Sequence, residues 1–139
     1  MSIIVDTGFW LALANRKDTY HEASKRALEQ VREPLICTWP VVTETCHLIT
    51  ARLGVDAELS FIEAANRGAF TIFDLTAAHL PRIRELIERY RNLPMDLADA
   101  SLVILAEHLA SGRILSTDQR DFGAYRWKNR KPFKNLLNL

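Results

Sequence analysis

Two cysteines are all this sequence has. Cys37 and Cys46 lack Cys-x-x-Cys spacing and sit beside apolar neighbours such as Ile36 and Leu48, so each reads as a small buried hydrophobe, not as part of a disulfide framework, redox pair or zinc site. Glycine and proline are sparse, five of each in 139 residues, and no Gly/Ser- or Pro-rich tract marks a linker or a disordered arm. The glycines form no dinucleotide fingerprint and no P-loop lysine is present, which argues against nucleotide-driven switching and dinucleotide redox chemistry. Long apolar runs are missing too. Trp10 to Ala14 and Leu102 to Ala106 fall far short of the roughly 20 residues that span a bilayer, and the short hydrophobic start carries no basic segment of a signal peptide. A soluble, cytoplasmic protein with no membrane partner is expected.

What remains is a globular composition, 48% hydrophobic and 25% charged, without internal repeats. The length suits one domain over residues 1–139 that buries about two-thirds of its unfolded surface. The net charge of +1 hides an uneven distribution. From Ala124 onward come Arg126, Lys128, Arg130, Lys131 and Lys134 with no acidic residue, interleaved with Tyr125, Trp127 and Phe133. Basic groups that neutralise phosphates beside aromatic faces that stack on bases suit a nucleic acid, and the same pattern also describes a solvated basic edge.

Apolar periodicity alternates between strand and helix along the chain. Ser2 to Val5 is a β-branched run without polar alternation, as in a strand covered on both faces, and it ends at Asp6-Thr7-Gly8 before a short apolar helix. An amphipathic helix follows over Thr19 to Val31, with His21 near its start. Pro34 to Thr38 reads as a second strand, and Trp39 to Gly54 as a helix with proline in its first turn and glycine at its end. This helix is apolar enough to be largely buried, which makes Glu44 anomalous, because an ionised carboxylate there needs a partner. His47, one turn on, reads as structural. Asp56 to Asn66 is a further helix, Ala69 to Phe73 a third strand, and Arg82 to Arg91 a solvent-facing helix. Asp74 is explained by turn or cap chemistry, and His79 by surface packing.

The stretch Pro94-Met95-Asp96-Leu97-Ala98-Asp99-Ala100 opens a helix of nearly pure apolar and small residues that runs to about Ala110. Asp96 and Asp99 fall on one face of its first turn, where the backbone N–H groups and the dipole favour negative charge. Arg113 to Ser116 is a fourth strand delivering Thr117-Asp118, and Asp121 fits the first turn of a following helix. After Gly123 the chain reads as irregular and basic, with a short edge strand near Pro132 to Lys134.

Asp6, Glu44, Asp96, Asp99 and Asp118 thus lie at strand ends or early helical turns of four separate segments. In an open α/β sheet such ends meet in one crevice. Mutually repelling carboxylates there call for a hard divalent cation, and oxygen-only ligands favour Mg²⁺ or Mn²⁺ over Zn²⁺. Phosphodiester hydrolysis suits such a centre, where the ion polarises the phosphoryl oxygen and activates water. A receiver-like domain would carry paired acids at its first strand, where Asp6 is followed by Thr7-Gly8, and a Ser-His-acid hydrolase would need a nucleophile elbow that is missing. A non-catalytic nucleic-acid-binding domain stays open on the residues alone.

Ile3-Ile4-Val5-Asp6-Thr7-Gly8, the helical Glu44, Asp96-Leu97-Ala98-Asp99-Ala100 and Leu115-Ser116-Thr117-Asp118-Gln119-Arg120-Asp121-Phe122, in this order, resemble the PIN-domain family. The likeness extends over nearly the whole chain and is to the small single-domain ribonuclease toxins of bacterial and archaeal toxin–antitoxin pairs. It implies a three-layer, Rossmann-like α/β fold with a central, mostly parallel sheet of 4–5 strands flanked by helices. It further implies a Mg²⁺- or Mn²⁺-dependent ribonuclease site in which Asp6, Glu44, Asp99 and Asp118 are both catalytic and metal-ligating. Asp96, Thr7, Thr117 and Asp121 take supporting places, with Thr117 as the small polar residue beside the last acid. Of Asp96 and Asp99, the family pattern favours Asp99 as the direct ligand. RNA is the implied substrate, with Arg126, Lys128, Arg130 and Lys131 assigned to its backbone. A homodimer and a small antitoxin protein are the implied partners. Related domains also act in RNA processing or decay without an antitoxin.

Overall fold

Short apolar strands separated by helices bury both faces of each strand only if the strands run parallel and the helices cover the sheet on either side. The computed structural model describes residues 1–137 and has this arrangement. The first half comprises β1 (Ile3–Val5), α1 (Thr7–Ala14), α2 (His21–Gln30), β2 (Leu35–Thr38), α3 (Trp39–Leu53), α4 (Val55–Asn66) and β3 (Thr71–Phe73). A 3₁₀ turn (Ala77–His79) then leads into α5 (Leu80–Arg89), α6 (Leu97–Leu109), β4 (Arg113–Leu115), α7 (Gln119–Ala124), β5 (Arg126–Trp127), β6 (Lys131–Pro132) and β7 (Lys134–Asn135).

The main sheet has five strands in the order β3-β2-β1-β4-β7, all paired in parallel. The chain moves outward from β1 through β2 to β3, then returns to β4 on the other side of β1. The strand order therefore reverses between β1 and β4, which is where an open sheet of this kind forms its ligand crevice. β1 is fully buried, as are Ile114 and Leu115 of β4, and α6 packs on β1 and β2 with Leu102, Val103, Leu105 and Ala106 inaccessible. From Ala100 to Ala106 α6 is buried all round and apolar except for Ser101, and its charged residues lie in the first and last turns.

The two faces differ. α4 follows α3 with helical apolar spacing, yet buries none of its residues fully, and Val55, Leu59 and Ile62 stand exposed. Beyond Gly123 the chain is more ordered than its sequence implies. β5 and β6 pair as an antiparallel hairpin, and β7 adds a parallel edge to β4 close to the expected position. The hairpin turn uses Lys128 and Asn129 at φ 51° and 62°, so the positive-φ conformation of a tight turn is met here without glycine. No helix among the described residues is long and apolar enough to cross a membrane.

Candidate active site

Each acid is placed by the local rule that shapes its element. Asp6 follows the last residue of β1 and caps α1, its Oδ1 accepting the Thr7 N–H at 2.6 Å. Asp96 caps α6, and the pair Asp96/Asp99 forms a reciprocal box. The Asp99 N–H donates to Asp96 Oδ1 at 2.8 Å and the Asp96 N–H to Asp99 Oδ2 at 3.3 Å. Asp118 caps α7 by accepting the Asp121 N–H at 3.0 Å. Glu44 lies in the second turn of α3, half-buried and not enclosed as its apolar surroundings in sequence suggest. These side chains border one cavity of about 650 Å³, together with Thr7, Thr117 and Asp121. Asp74 lies elsewhere, accepting the Trp39 indole N–H.

Two hydrogen-bond chains lock the elements to one another. β1 and β4 are bridged by Ser116, fully buried, whose hydroxyl donates to Asp6 Oδ2 at 2.8 Å and accepts the Asp118 N–H at 2.9 Å. Asn135 grips the same residue from β7: its Oδ1 accepts the Ser116 N–H and its Nδ2 donates to the Ser116 carbonyl. On the other side of β1, Thr38 and Ser101 meet at 2.6 Å while Ser101 donates to the Ala98 carbonyl. This contact ties the start of α3, and with it Glu44, to the start of α6. Thr117 packs on Gly8, where a Cβ would lie 2.0 Å from Thr117 Oγ1, so only glycine lets α1 approach the loop after β4 this closely.

Asn135 carries no motif in the sequence, and nothing there marks Ser116 or Tyr125 as a support for an acid. Tyr125 is fully buried and its hydroxyl lies 3.1 Å from the Pro94 carbonyl and 3.3 Å from Asp99 Oδ2. A hydroxyl beside a carboxylate in a buried setting loses its proton reluctantly, and burial together with Asp99 pushes the Tyr125 phenol far up.

The electrostatics are those of acids without cations. Burial pushes the Asp6 carboxyl up to about 6 against the opposing hydrogen bonds of Ser116 and Thr7, and the charges of Asp118 and Glu44 add to the rise. Burial and then the neighbouring Asp96 charge push Asp99 up to about 8. Asp118 is raised as well, mainly by burial. Asp121 differs, since Arg120 Nε donates to it at 3.1 Å. The cation on the cavity wall is Arg91, and its ion-pair partner is Glu88.

The resemblance to the PIN-domain family implies a divalent cation here. Among the described residues, no group of three or more His, Cys, Asp or Glu side chains is arranged to hold a metal ion. The chemistry of the donors nevertheless fits one. They are carboxylates only, burial makes Asp6 and Asp99 hold their protons more tightly than free carboxyls, and the hydroxyl of Thr7 is buried at the same cavity without a hydrogen-bond partner among the described residues.

The basic residues lie apart from the cavity. Arg126 donates to the Gly123 and Tyr125 carbonyls, and the Lys128 and Lys131 ammonium groups lie 5.7 and 5.2 Å from the Trp127 ring centroid. Arg130 is exposed at the hairpin turn. Trp127 itself borders Gly112, at the amino end of β4, whereas the acids crowd the carboxyl ends of the strands.

Comparison with known proteins agrees with this layout. Ribonuclease VapC26 of Mycobacterium tuberculosis is 30% identical over 124 residues, which cover 89% of this chain and 92% of that protein. The crystal structure of VapC20 of the same organism, described as a sarcin–ricin loop cleaving toxin, superposes with a TM-score of 0.79. It covers 85% of this chain and 91% of that one at 22% identity, a likeness of fold. The family model for the PIN domain matches residues 3–128, from the first residue of β1 to the hairpin turn, and the chain belongs to the PIN-domain family.

Proposed function

We propose that the protein is a metal-dependent endoribonuclease that hydrolyses RNA phosphodiester bonds and serves as the toxin of a type II toxin–antitoxin pair. The observation that carries this reading is the meeting of Asp6, Glu44, Asp99 and Asp118 in one cavity with no basic side chain, among the described residues, paired to Asp6 or Asp99. Acids kept together at a cost in stability are accounted for by a cationic cofactor. The names of the VapC relatives support an RNA substrate and a toxin role.

In this reading Asp6, Glu44, Asp99 and Asp118 hold Mg²⁺, with Mn²⁺ as a substitute. The ion when bound neutralises phosphate charge and lowers the pKa of water. Asp6 is presented by the Thr7 N–H and the Ser116 hydroxyl, so its carboxylate is oriented before any ligand arrives. Asp96, exposed at the rim, orients water, and Arg91 offers the RNA a cation on the cavity wall. Arg126, Lys128, Arg130 and Lys131 hold the RNA backbone away from the scissile bond. A homodimer and a small antitoxin complete the assembly, and the exposed apolar side chains of α4 suit a protein partner.

The test is an RNase assay in Mg²⁺, Mn²⁺ or EDTA on wild type beside Asp99→Ala. Cleavage that needs the ion and vanishes in the variant is expected, and ion-independent cleavage or full activity of Asp99→Ala overturns the assignment. Co-expression with the neighbouring reading frame tests the toxin role, with a small co-purifying inhibitor as the expected result.

A further inference from the structure

Asp99 stands at the start of a buried helix with a flexible carboxylate, and something must choose which oxygen it turns to the cavity. Two donors act on it, and both act on the same atom. The Asp96 N–H lies 3.3 Å from Oδ2, and the Tyr125 hydroxyl lies 3.3 Å from that same oxygen. Oδ1 has no hydrogen-bond partner among the described residues.

Tyr125 is built into this position from several directions. Its ring is fully buried and meets Tyr90 and Phe122 edge-on, with centroids 5.0 and 5.2 Å away. Its N–H donates to the Asp121 carbonyl, closing the helix that Asp118 opens. The next residue is pinned as well, because the Arg126 N–H donates to the Tyr90 hydroxyl at 2.9 Å. α7 therefore has a carboxylate of the site at one end and a contact to a second carboxylate at the other.

We propose that Tyr125 is a positioning residue for the carboxylate site: its buried hydroxyl holds Oδ2 of Asp99, leaves Oδ1 for the divalent ion, and keeps α6 in register with the helix that carries Asp118. The inference rests on the reading of the four acids as a cation site. A hydroxyl has one proton, and Pro94 O at 3.1 Å competes for it with Asp99. The rival account is therefore that Tyr125 serves only to satisfy the Pro94 carbonyl and fill the aromatic cluster.

Tyr125→Phe removes the hydroxyl and keeps the ring. Calorimetric titration with Mn²⁺ reads the effect without reference to catalysis, and residues that orient metal ligands typically change affinity by about 10-fold or more when lost. The expected result is a fall of about that size in Mn²⁺ affinity, with kcat for RNA lowered, KM unchanged and the melting temperature close to that of wild type. Phe122→Leu loosens the same cluster without touching a hydroxyl. It is expected to lower the melting temperature and leave Mn²⁺ affinity within about twofold of wild type. Wild-type Mn²⁺ affinity in Tyr125→Phe overturns the positioning role, as does an equal loss of affinity in Phe122→Leu. Wild type that binds Mn²⁺ but cleaves no RNA refutes the nuclease reading alone, and the titration still decides the role of Tyr125. Wild type that binds no Mn²⁺ overturns both.

Discussion

Helix α6 carries acids at both ends, and the molecule treats them in opposite ways. Glu107, in its last turn, receives Arg82 on both oxygens at 3.0 and 2.6 Å and the Lys128 N–H at 2.6 Å. Asp99, about 12 Å away along the axis, receives no cation among the described residues. The helix dipole makes the contrast sharper, because it favours an acid at the first turn and disfavours one at the last, by about 0.3–1 kcal/mol each. At Glu107 the fold supplies the charge that the dipole withholds. At Asp99 burial and the Asp96 charge outweigh the dipole and push the carboxyl up to about 8. One acid is an anchor for the β5–β6 hairpin, and the other is left short of a positive partner.

Exchange of function between the two ends would break this comparison. The largest effect is expected for Asp99→Asn and Asp6→Asn. Loss of a direct ligand should exceed the roughly 10- to 100-fold typical of supporting residues, read as kcat/KM on an RNA substrate at saturating Mn²⁺. Above about pH 8, where both acids are ionised, the same variants should melt higher than wild type in EDTA, because the buried charge is gone. Glu107→Gln should do the reverse, costing about 1 kcal/mol in urea unfolding while leaving kcat/KM unchanged, since it strips the more covered of the two ionic partners of Arg82 and leaves the exposed Glu85. A nuclease defect in Glu107→Gln that matched Asp99→Asn would erase the distinction.

A pH series without divalent ions sharpens it further. Burial holds the Asp6 and Asp99 carboxyls well above the ordinary carboxyl value, pushed up to about 6 and about 8, so the folded protein binds more protons than the unfolded chain from about pH 4 to about pH 8. Stability must then fall as pH rises from about 4 to about 8, by about 3 kcal/mol from the buried Asp6 alone and by a further, solvent-screened amount from the half-buried Asp99. Mn²⁺ should flatten the slope, because the ion takes the place of the protons. Thermal melts in EDTA and in Mn²⁺ across this range check both statements, and a slope of opposite sign would mean that the acids are already paired.

The acids themselves were legible because each ends a segment whose pattern is strong. Asp6 and Asp118 follow short buried strands that pair side by side, and Asp96 and Asp99 open a mostly apolar helix packed on β1 and β2, so strand adjacency and helix packing together bring them to one place. Their supports were not legible. Ser116 reaches Asp6 across 110 positions and Tyr125 reaches Asp99 across 26, and neither separation leaves a periodic trace in a single sequence. Glu44 was singled out for the wrong surroundings. The neighbouring Val41, Val42 and Thr45 do face the core, but the helix turns Glu44 to the cavity instead. The C-terminal hairpin escaped because its strands are two residues long and its turn is made by Lys128 and Asn129, without the glycine that usually announces such a turn.

That hairpin supplies the smallest expected effect and the finest test of the two-ended picture. Lys128, Arg130 and Lys131 lie beyond the anchored end of α6, across the sheet from the acids, so any grip they have on RNA is remote from the scissile phosphate. Neutralising all three to Gln should therefore weaken RNA binding without lowering kcat. Each lost contact with single-stranded phosphate reduces the slope of log affinity against log salt by about 0.7, so the triple variant should be shallower by about 2. Filter binding from low to moderate salt, with Mn²⁺ replaced by Ca²⁺ to suppress cleavage, measures this directly. An unchanged slope would make the cluster a solvated edge and return the whole burden of holding RNA to the cavity wall and Arg91. A shallower slope with unchanged kcat would place binding and chemistry at opposite ends of the sheet, joined by α6.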